Sequence, residues 1–538
     1  MAFDAIIISD CGTSSFSGTN PLRLRIEGRV ADIQTVMNYV ANGGRLQPPI
    51  EGEERMSWSS APKLNGLYLY SYLTRRGFNV ELIDSFYDQR DEFSRLLENS
   101  PRAVIISTTF FFGKQTLKKL VDDIRAAATD VFIIAGGPLI YLSYLMLQRT
   151  SDAAYDTASA VNEFLFLKVD SEPDIDRYII SLRGERILAD LLVRLGTGSA
   201  VGEIPNSARF NGKCYDFSGR IDDPADENDA SMDWQVLPDS VFESKIIPMQ
   251  ASAGCPYHCA FCNFTKDRRL TYVKPLEVLI AEMKAVARRG ARYIWFVDDN
   301  FRLGKGDIDE VCRRLIDEQV GLNWMTFIRA STLKTADIGL LKQAGCIEVQ
   351  LGVESADSRI LKNMNKKATP ELYDEVIPKL LAAGINCSCY FIIGFPGETE
   401  ATVRKTREFL VRHESREHDG SLSWSVFPFL LSPLSPIYEP AMRRRYGLSG
   451  YLDRWRHRTM NSEAAKEHLL KTFFELENSG PIYRGDNLDM LRRIGPQTSR
   501  RFAALRHRLT KASMQGRLGP NEVFESFAGL LAGTLVRQ

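Results

Sequence analysis

The chain has no excess of charge of either sign: its 538 residues hold 68 Lys and Arg against 68 Asp and Glu. Such balance gives no electrostatic bias toward nucleic acid or an anionic membrane, so neither is expected and a small-molecule substrate is. The sequence also lacks the basic start and cleavage site of a signal peptide. Its opening Met1-Ala2-Phe3-Asp4-Ala5 carries no Lys or Arg, and the apolar run Ala5 to Ser9 is too short. A cytoplasmic location is the expectation. No long apolar run is unbroken: Val131 to Leu147 approaches membrane-span length, but Gly136-Gly137-Pro138 interrupts it, which reads as buried strand, turn and helix. A disulfide framework is missing as well. The nine cysteines are an odd number, and Cys255, Cys259 and Cys262 fall within eight residues, which is metal-ligand usage in a reducing compartment.

What is present is the composition of a globular protein, 44% apolar and 25% charged, at a length that calls for two or three domains. Up to about residue 150, strand-like runs (Ala5–Ser9, Val80–Asp84, Ala103–Ser107, Val131–Ala135) alternate with helix-like ones (Leu64–Arg76, Lys114–Ala128). This α/β alternation predicts a doubly wound, Rossmann-like parallel sheet within residues 1–204. Residues 205–243, with the acidic run Asp222 to Asp229, read as an exposed linker. Six strands are expected within 244–435: Ile246–Ser252, Tyr293–Val297, Asn323–Ile328, Glu348–Gly352, Cys387–Ile393 and Ser423–Phe429. With helices between them they predict a partial (β/α)6 barrel, whose chemistry sits at the carboxyl ends of the strands. Residues 436–538 read as a mainly helical C-terminal region, and its Arg492, Arg493, Arg500, Arg501, Arg506, Arg508 and Lys511 as a solvated face.

Directly after the first barrel strand stands Gly254-Cys255-Pro256-Tyr257-His258-Cys259-Ala260-Phe261-Cys262. Three thiolates at C-x3-C-x2-C suit three irons of a 4Fe-4S cubane and leave the fourth iron open for another ligand. A structural zinc site would need a fourth ligand, which only His258 in the same tight loop offers, and no second Cys-x-x-Cys follows.

From these cysteines to about residue 430 the chain resembles the radical S-adenosylmethionine (SAM) superfamily. The resemblance implies that Cys255, Cys259 and Cys262 hold the cluster and that Phe261 lies against SAM. It implies further that Trp295-Phe296-Val297-Asp298-Asp299-Asn300 meets the SAM amino group and that Gln350-Leu351-Gly352-Val353-Glu354-Ser355 reaches the ribose. Ile393-Gly394-Phe395-Pro396-Gly397-Glu398-Thr399 would then form the turn near adenine. Asp298, Asp299, Arg329, Gly352, Glu354 and Gly394 are thereby SAM-contact candidates, and an electron donor such as flavodoxin or ferredoxin is implied. Read for themselves, acidic residues at strand ends also cap helices, and Gly-Phe-Pro-Gly also makes a plain turn.

A doubly wound domain ahead of such a barrel is similar to the cobalamin-dependent radical SAM enzymes, of the methyltransferase type. The matching residues are Pro62 to Leu69, Ser107-Thr108-Thr109, Gly136-Gly137, and Asp176 to Ile180 with Gly184-Glu185. Small residues at those strand ends let a corrin side arm approach the backbone, so Ser107, Thr108, Gly136 and Gly137 are cobalamin-contact candidates. Many cobalamin proteins carry Asp-x-His-x-x-Gly after the first strand; here Asp10-Cys11-Gly12 stands there, and no histidine precedes His258. The resemblance therefore implies cobalamin with no imidazole from this domain on cobalt. About 50 residues inserted before the first helix, including Asn38 to Arg55, read equally as a cover for ligand or as a surface loop.

Methyl transfer to an unreactive carbon or phosphorus of a small metabolite is the implied activity, in natural-product biosynthesis. A rearrangement, cyclisation or oxidation without methyl transfer is the alternative. Methylthiolation is disfavoured, because that family carries three cysteines in its N-terminal domain and only Cys11 precedes residue 214 here. A non-catalytic corrinoid or iron-sulfur binding protein leaves the ordered strand-end motifs unexplained.

Overall fold

Ala5–Ile8 (β1) is buried on both faces and consists of one alanine and three isoleucines, the composition of a central strand in a parallel sheet. In the computed structural model, which describes residues 3–12, 22–48, 56–152, 158–168, 172–199, 201–221, 231–263, 272–301, 308–414 and 417–535, the chain divides into two compact units. The first comprises residues 1–21 and 62–239, the second residues 22–61 and 240–538.

In the first unit β1 pairs in parallel with Val80–Ile83 (β2) on one side and Ala103–Ser107 (β3) on the other. Phe132–Gly136 (β4) and Arg177–Ile179 (β5) continue the parallel sheet. The order β2-β1-β3-β4-β5 is doubly wound, as expected, with its switch point between β1 and β3. Helix Leu64–Thr74 packs so closely on β1 that a Cβ on Gly66 would stand 1.7 Å from Ser9 Oγ. The expected linker needs correction. Ser207–Phe210 (β6) and Tyr215–Phe217 (β7) form a hairpin that adds two antiparallel strands to this sheet, because Ser207 and Ala208 pair with Ile179 and Tyr178. The acidic run Asp222 to Asp229 lies outside the described residues.

The second unit is built on Ile246–Met249 (β8), Tyr293–Phe296 (β9), Asn323–Phe327 (β10), Cys346–Glu354 (β11), Asn386–Ile393 (β12) and Leu422–Pro428 (β13). These six strands pair in parallel in sequence order, and Gly480–Pro481 (β14) adds a seventh. Helices intervene with one apolar side, as in Ile308–Asp317, where Ile308, Val311, Cys312 and Leu315 are buried at helical spacing. The C-terminal stretch is thus part of the barrel unit rather than a separate helical region, and it also holds a small antiparallel sheet, Ser449–Tyr451, Arg454–His457 and Met460–Asn461.

The insertion has a definite place where it is described. Residues 22–61 belong to the second unit, not to the domain expected over 1–204. Leu24, Ile26, Ile33 and Val36 share a core with Phe502, Leu509, Phe527 and Leu531. Further on, Trp58 packs edge-on against Tyr293 and Trp295 of β9. The basic run is only partly a solvated face. Arg506 bonds both oxygens of Asp486, and Lys511 is buried against the Phe474 and Leu476 carbonyls and Glu477, while Arg492, Arg493, Arg501 and Arg508 are exposed. Among the described residues no helix is long and apolar enough to cross a membrane.

Candidate active site

The cysteine loop leaves the carboxyl end of β8, where backbone donors run out of strand partners and acidic side chains take them up. Asp298, just past β9, accepts from the amides of Ala251 and Ser252 and from Ser252 Oγ at 2.6 Å. Asp299 accepts from Gly254 N at 3.0 Å, one residue before Cys255. Burial raises the Asp298 carboxyl to about 6, against the lowering effect of those hydrogen bonds. The structure therefore gives both aspartates, expected as SAM contacts, the task of fixing the entry to the cysteine loop.

The far side of the loop is held by main chain. Ala260 N donates to Met364 O, Asn365 Nδ2 to His258 O, and Ile437 N to Ala260 O. Cys259 is buried while Cys255 and Cys262 are half-buried, so the thiols stand at the edge of the barrel mouth. Arg329, at the start of a short helix after β10, lies 3.7 Å above the Tyr257 ring, donates to Lys366 O, and brings Nη1 to 4.0 Å from Cys259 Sγ. It stands beside the cysteine loop as a cation facing a thiol. By donor chemistry, three thiols within eight residues of one loop suit an iron-sulfur cubane, although among the described residues no three His, Cys, Asp or Glu side chains are gathered as a metal ion would need.

Glu354 ends β11 with φ +67, a left-handed backbone that a glutamate adopts only when its surroundings impose it. Its Oε1 accepts from Lys366 Nζ at 2.7 Å, and both side chains are nearly buried. A Cβ on Gly352 would fall 2.4 Å from that oxygen and 2.8 Å from the Lys366 nitrogen, so the glycine makes room for the pair. Lys366, which no motif flagged, thus joins Glu354, Arg329 and the Phe261 ring, whose centroid lies 5.9 Å from its nitrogen. Phe261 also meets Phe395 edge-on. Gly394, with φ +94, packs under Trp455, and its amide donates to Glu398, whose carboxyl burial raises to about 8.

In the first unit Ser107 Oγ accepts from Asn65 Nδ2 at 2.8 Å, and Thr108 Oγ1 donates to Gly136 O. Gly137, φ +105, faces Thr108, where a Cβ would come within 3.2 Å of the Thr108 amide. These four candidates brace one another at adjacent strand ends. Beside them, Ser9 Oγ and Asn65 Oδ1 are buried with no hydrogen-bond partner. Asn65 lies within the Pro62 to Leu69 segment of the resemblance, whereas Ser9 was read only as the end of a buried strand. Two orphaned oxygens at a switch-point crevice fit a ligand that brings polar hydrogens, as the amide side arms of a corrin do.

A deeper set was also missed. Arg484 donates to Glu348 at 2.6 Å and to the Tyr390 hydroxyl at 3.3 Å, Tyr390 donates to Gln350 at 2.9 Å, and Ser388 donates to Glu348. Glu348 and Tyr390 hold the half-buried Arg484 in its charged form against the desolvation of its surroundings.

Residues 249–410 match the model of the Radical SAM superfamily. An uncharacterized methyltransferase of Pyrococcus horikoshii is 25% identical over 380 residues, covering 67% of this chain and 76% of the relative. The fold is that of a solved cobalamin-dependent SAM radical enzyme, OxsB with aqua-cobalamin bound, at TM-score 0.57 and 14% identity over 98% of this chain and 75% of that one. A second solved structure is the radical SAM methyltransferase TsrM of Kitasatospora setae with cobalamin and a 4Fe-4S cluster bound. It matches at TM-score 0.54 and 16% identity over 81% of this chain and 77% of that one. Residues 249–410 are thus a radical SAM domain, and the chain that carries them is an enzyme whose fold resembles that of the cobalamin-dependent radical SAM enzymes.

Proposed function

We propose that the protein is a cobalamin-dependent radical SAM methyltransferase that methylates an unreactive carbon or phosphorus of a small metabolite, in natural-product biosynthesis. The observation that carries the cobalamin part is the pair of buried, unpartnered oxygens, Ser9 Oγ and Asn65 Oδ1, beside the switch point of the first sheet. The methyl-transfer part leans on the relative and the solved neighbour that are named methyltransferases.

When bound, the cluster supplies the electron that cleaves SAM and the corrinoid supplies a carried methyl group. The chain's own residues do the rest. Cys255, Cys259 and Cys262 are the cluster ligands, and Asp298 and Asp299 fix the backbone that presents them. Arg329, Phe261, Gly352, Glu354 and Gly394 line the SAM side, where the Glu354–Lys366 pair sets a fixed charge pattern. Ser107, Thr108, Gly136 and Gly137 border the corrinoid crevice. With no histidine before His258, the first unit offers no imidazole to cobalt, which favours release of a methyl group.

Reconstitution with hydroxocobalamin tests the reading. The purified protein should retain one corrinoid per chain, its cob(II)alamin spectrum should lack nitrogen coupling from a lower ligand, and turnover should yield S-adenosylhomocysteine alongside 5′-deoxyadenosine. Absence of corrinoid removes the methyl-transfer mechanism, and 5′-deoxyadenosine alone points to a non-methylating rearrangement or oxidation.

A further inference from the structure

The barrel strands alternate, and their registers put Trp295, Phe327, Gln350, Tyr390 and Phe427 on the lumen face. The contacts agree. The Tyr390 ring lies parallel to Phe427 at 6.5 Å between centroids and meets Phe327 at 5.8 Å. Toward the amino ends of the strands the lumen is filled: Trp58 packs on Tyr293 and Trp295, and Ser59 N bonds Arg484 O, which holds the Arg484–Glu348 pair as a floor. Above that floor the walls are flat rings, and Phe427 remains 43% exposed, a large apolar face left for something to cover.

The floor is polar but electrically closed. Arg484 is matched by Glu348 and the Tyr390 hydroxyl, so an anion pushed to this depth would lie unpaired beside Glu348. One donor is weakly used. Gln350 Nε2 points to the thioether of Met325 at 3.4 Å, a poor acceptor that a carbonyl or ring heteroatom would outcompete.

We infer that, given the proposed function, the substrate enters the lumen with a flat, unsaturated, uncharged ring system that carries a hydrogen-bond acceptor toward Gln350. Its charged groups stay at the mouth. The ring is covered by Phe427 and Tyr390 and its inner acceptor by the Gln350 amide.

Equilibrium dialysis on the reconstituted holoenzyme tests this with two probes of one shape, 2-naphthamide and 2-naphthoate. The amide should bind saturably and the carboxylate about tenfold more weakly or worse. Phe427→Ala, at a half-exposed site that leaves the fold intact by thermal melting, should weaken the amide by about tenfold. Equal affinity for the two probes, unchanged affinity in Phe427→Ala, or no saturable amide binding overturns the inference. SAM cleavage by the same preparation reports separately on the reading it rests on.

Discussion

In the first unit the parallel strands run β2-β1-β3-β4-β5, so the winding reverses beside β1, whereas in the second they run from β8 to β14 without reversal. The consequence is a difference in how each sheet leaves room for chemistry. At the reversal, neighbouring loops diverge and open a crevice bordered by small residues, with Ser9 Oγ and Asn65 Oδ1 left unpaired. The barrel has no such gap. Its polar side chains are tied to one another in advance, Asp298 to the cysteine loop, Glu354 to Lys366 and Glu348 to Arg484. The first sheet leaves two oxygens unpaired at its strand ends; the barrel ties many of its strand-end side chains to one another in a fixed frame, with Asn300 Oδ1 and Thr326 Oγ1 as buried exceptions.

The largest effect that separates the two should come from Cys255→Ala, Cys259→Ala and Cys262→Ala together. Iron content and SAM cleavage should be abolished while the first unit retains corrinoid. Iron retained by the triple variant would break the assignment of the barrel mouth. Next in size is Gly394→Ala. Its Cβ would stand 2.4 Å from the Trp455 ring at a φ of +94, so overpacking and backbone strain together should cost about 3 kcal/mol or more, read from chemical denaturation.

What the sequence displayed follows the same division. The cysteine loop was legible because its three cysteines lie within eight residues and because the strands before and after it are continuous apolar runs. Element types were legible for the same reason, with boundaries shifted by up to three residues, as in Leu64–Thr74 against the expected Leu64–Arg76 and Ile246–Met249 against Ile246–Ser252. The Arg484–Glu348–Tyr390–Gln350 set was not, since its members lie on two neighbouring strands and in the turn after β14, which only the folded barrel brings together. Asp298 and Asp299 were flagged by position, yet their partners are backbone amides of another strand end, which no pattern of side chains encodes. The β6–β7 hairpin hid in a polar stretch because it is an edge, where half the residues face water.

A smaller effect concerns pH. Burial, and the nearby Asp357, raise the Glu398 carboxyl from 4.5 to about 8, although the Gly394 and Phe395 amides oppose this and Asp357 is itself paired with Lys405. Between those values the folded chain holds a proton that the unfolded chain has lost. Stability is therefore full below the window and falls as pH rises through it, by at most about 1.4 kcal/mol per pH unit from this group. Asp298, raised to about 6, adds the same sign in the lower part of the window. Glu398→Gln should flatten the dependence of the thermal midpoint over this range, and an unchanged slope would mean that Glu398 does not titrate there.

The smallest expected change in stability, and the sharpest probe of the crevice, is Gly136→Ala. Gly136 lies outside the left-handed region, and its Cβ would meet only Ile179, at 3.4 Å from Cβ and 3.7 Å from the carbonyl oxygen. Alanine therefore fits the protein alone. The loss of unfolded-chain freedom offsets the mild crowding, and the folding free energy should stay within about 1 kcal/mol of the parent. A corrinoid lying against that strand end would be displaced by the added methyl group, so corrinoid retained per chain after gel filtration should fall even though the melting curve does not move. Full retention with an unchanged melt would remove Gly136 from the crevice, and a large loss of stability without loss of corrinoid would show that this glycine, like Gly394, serves packing.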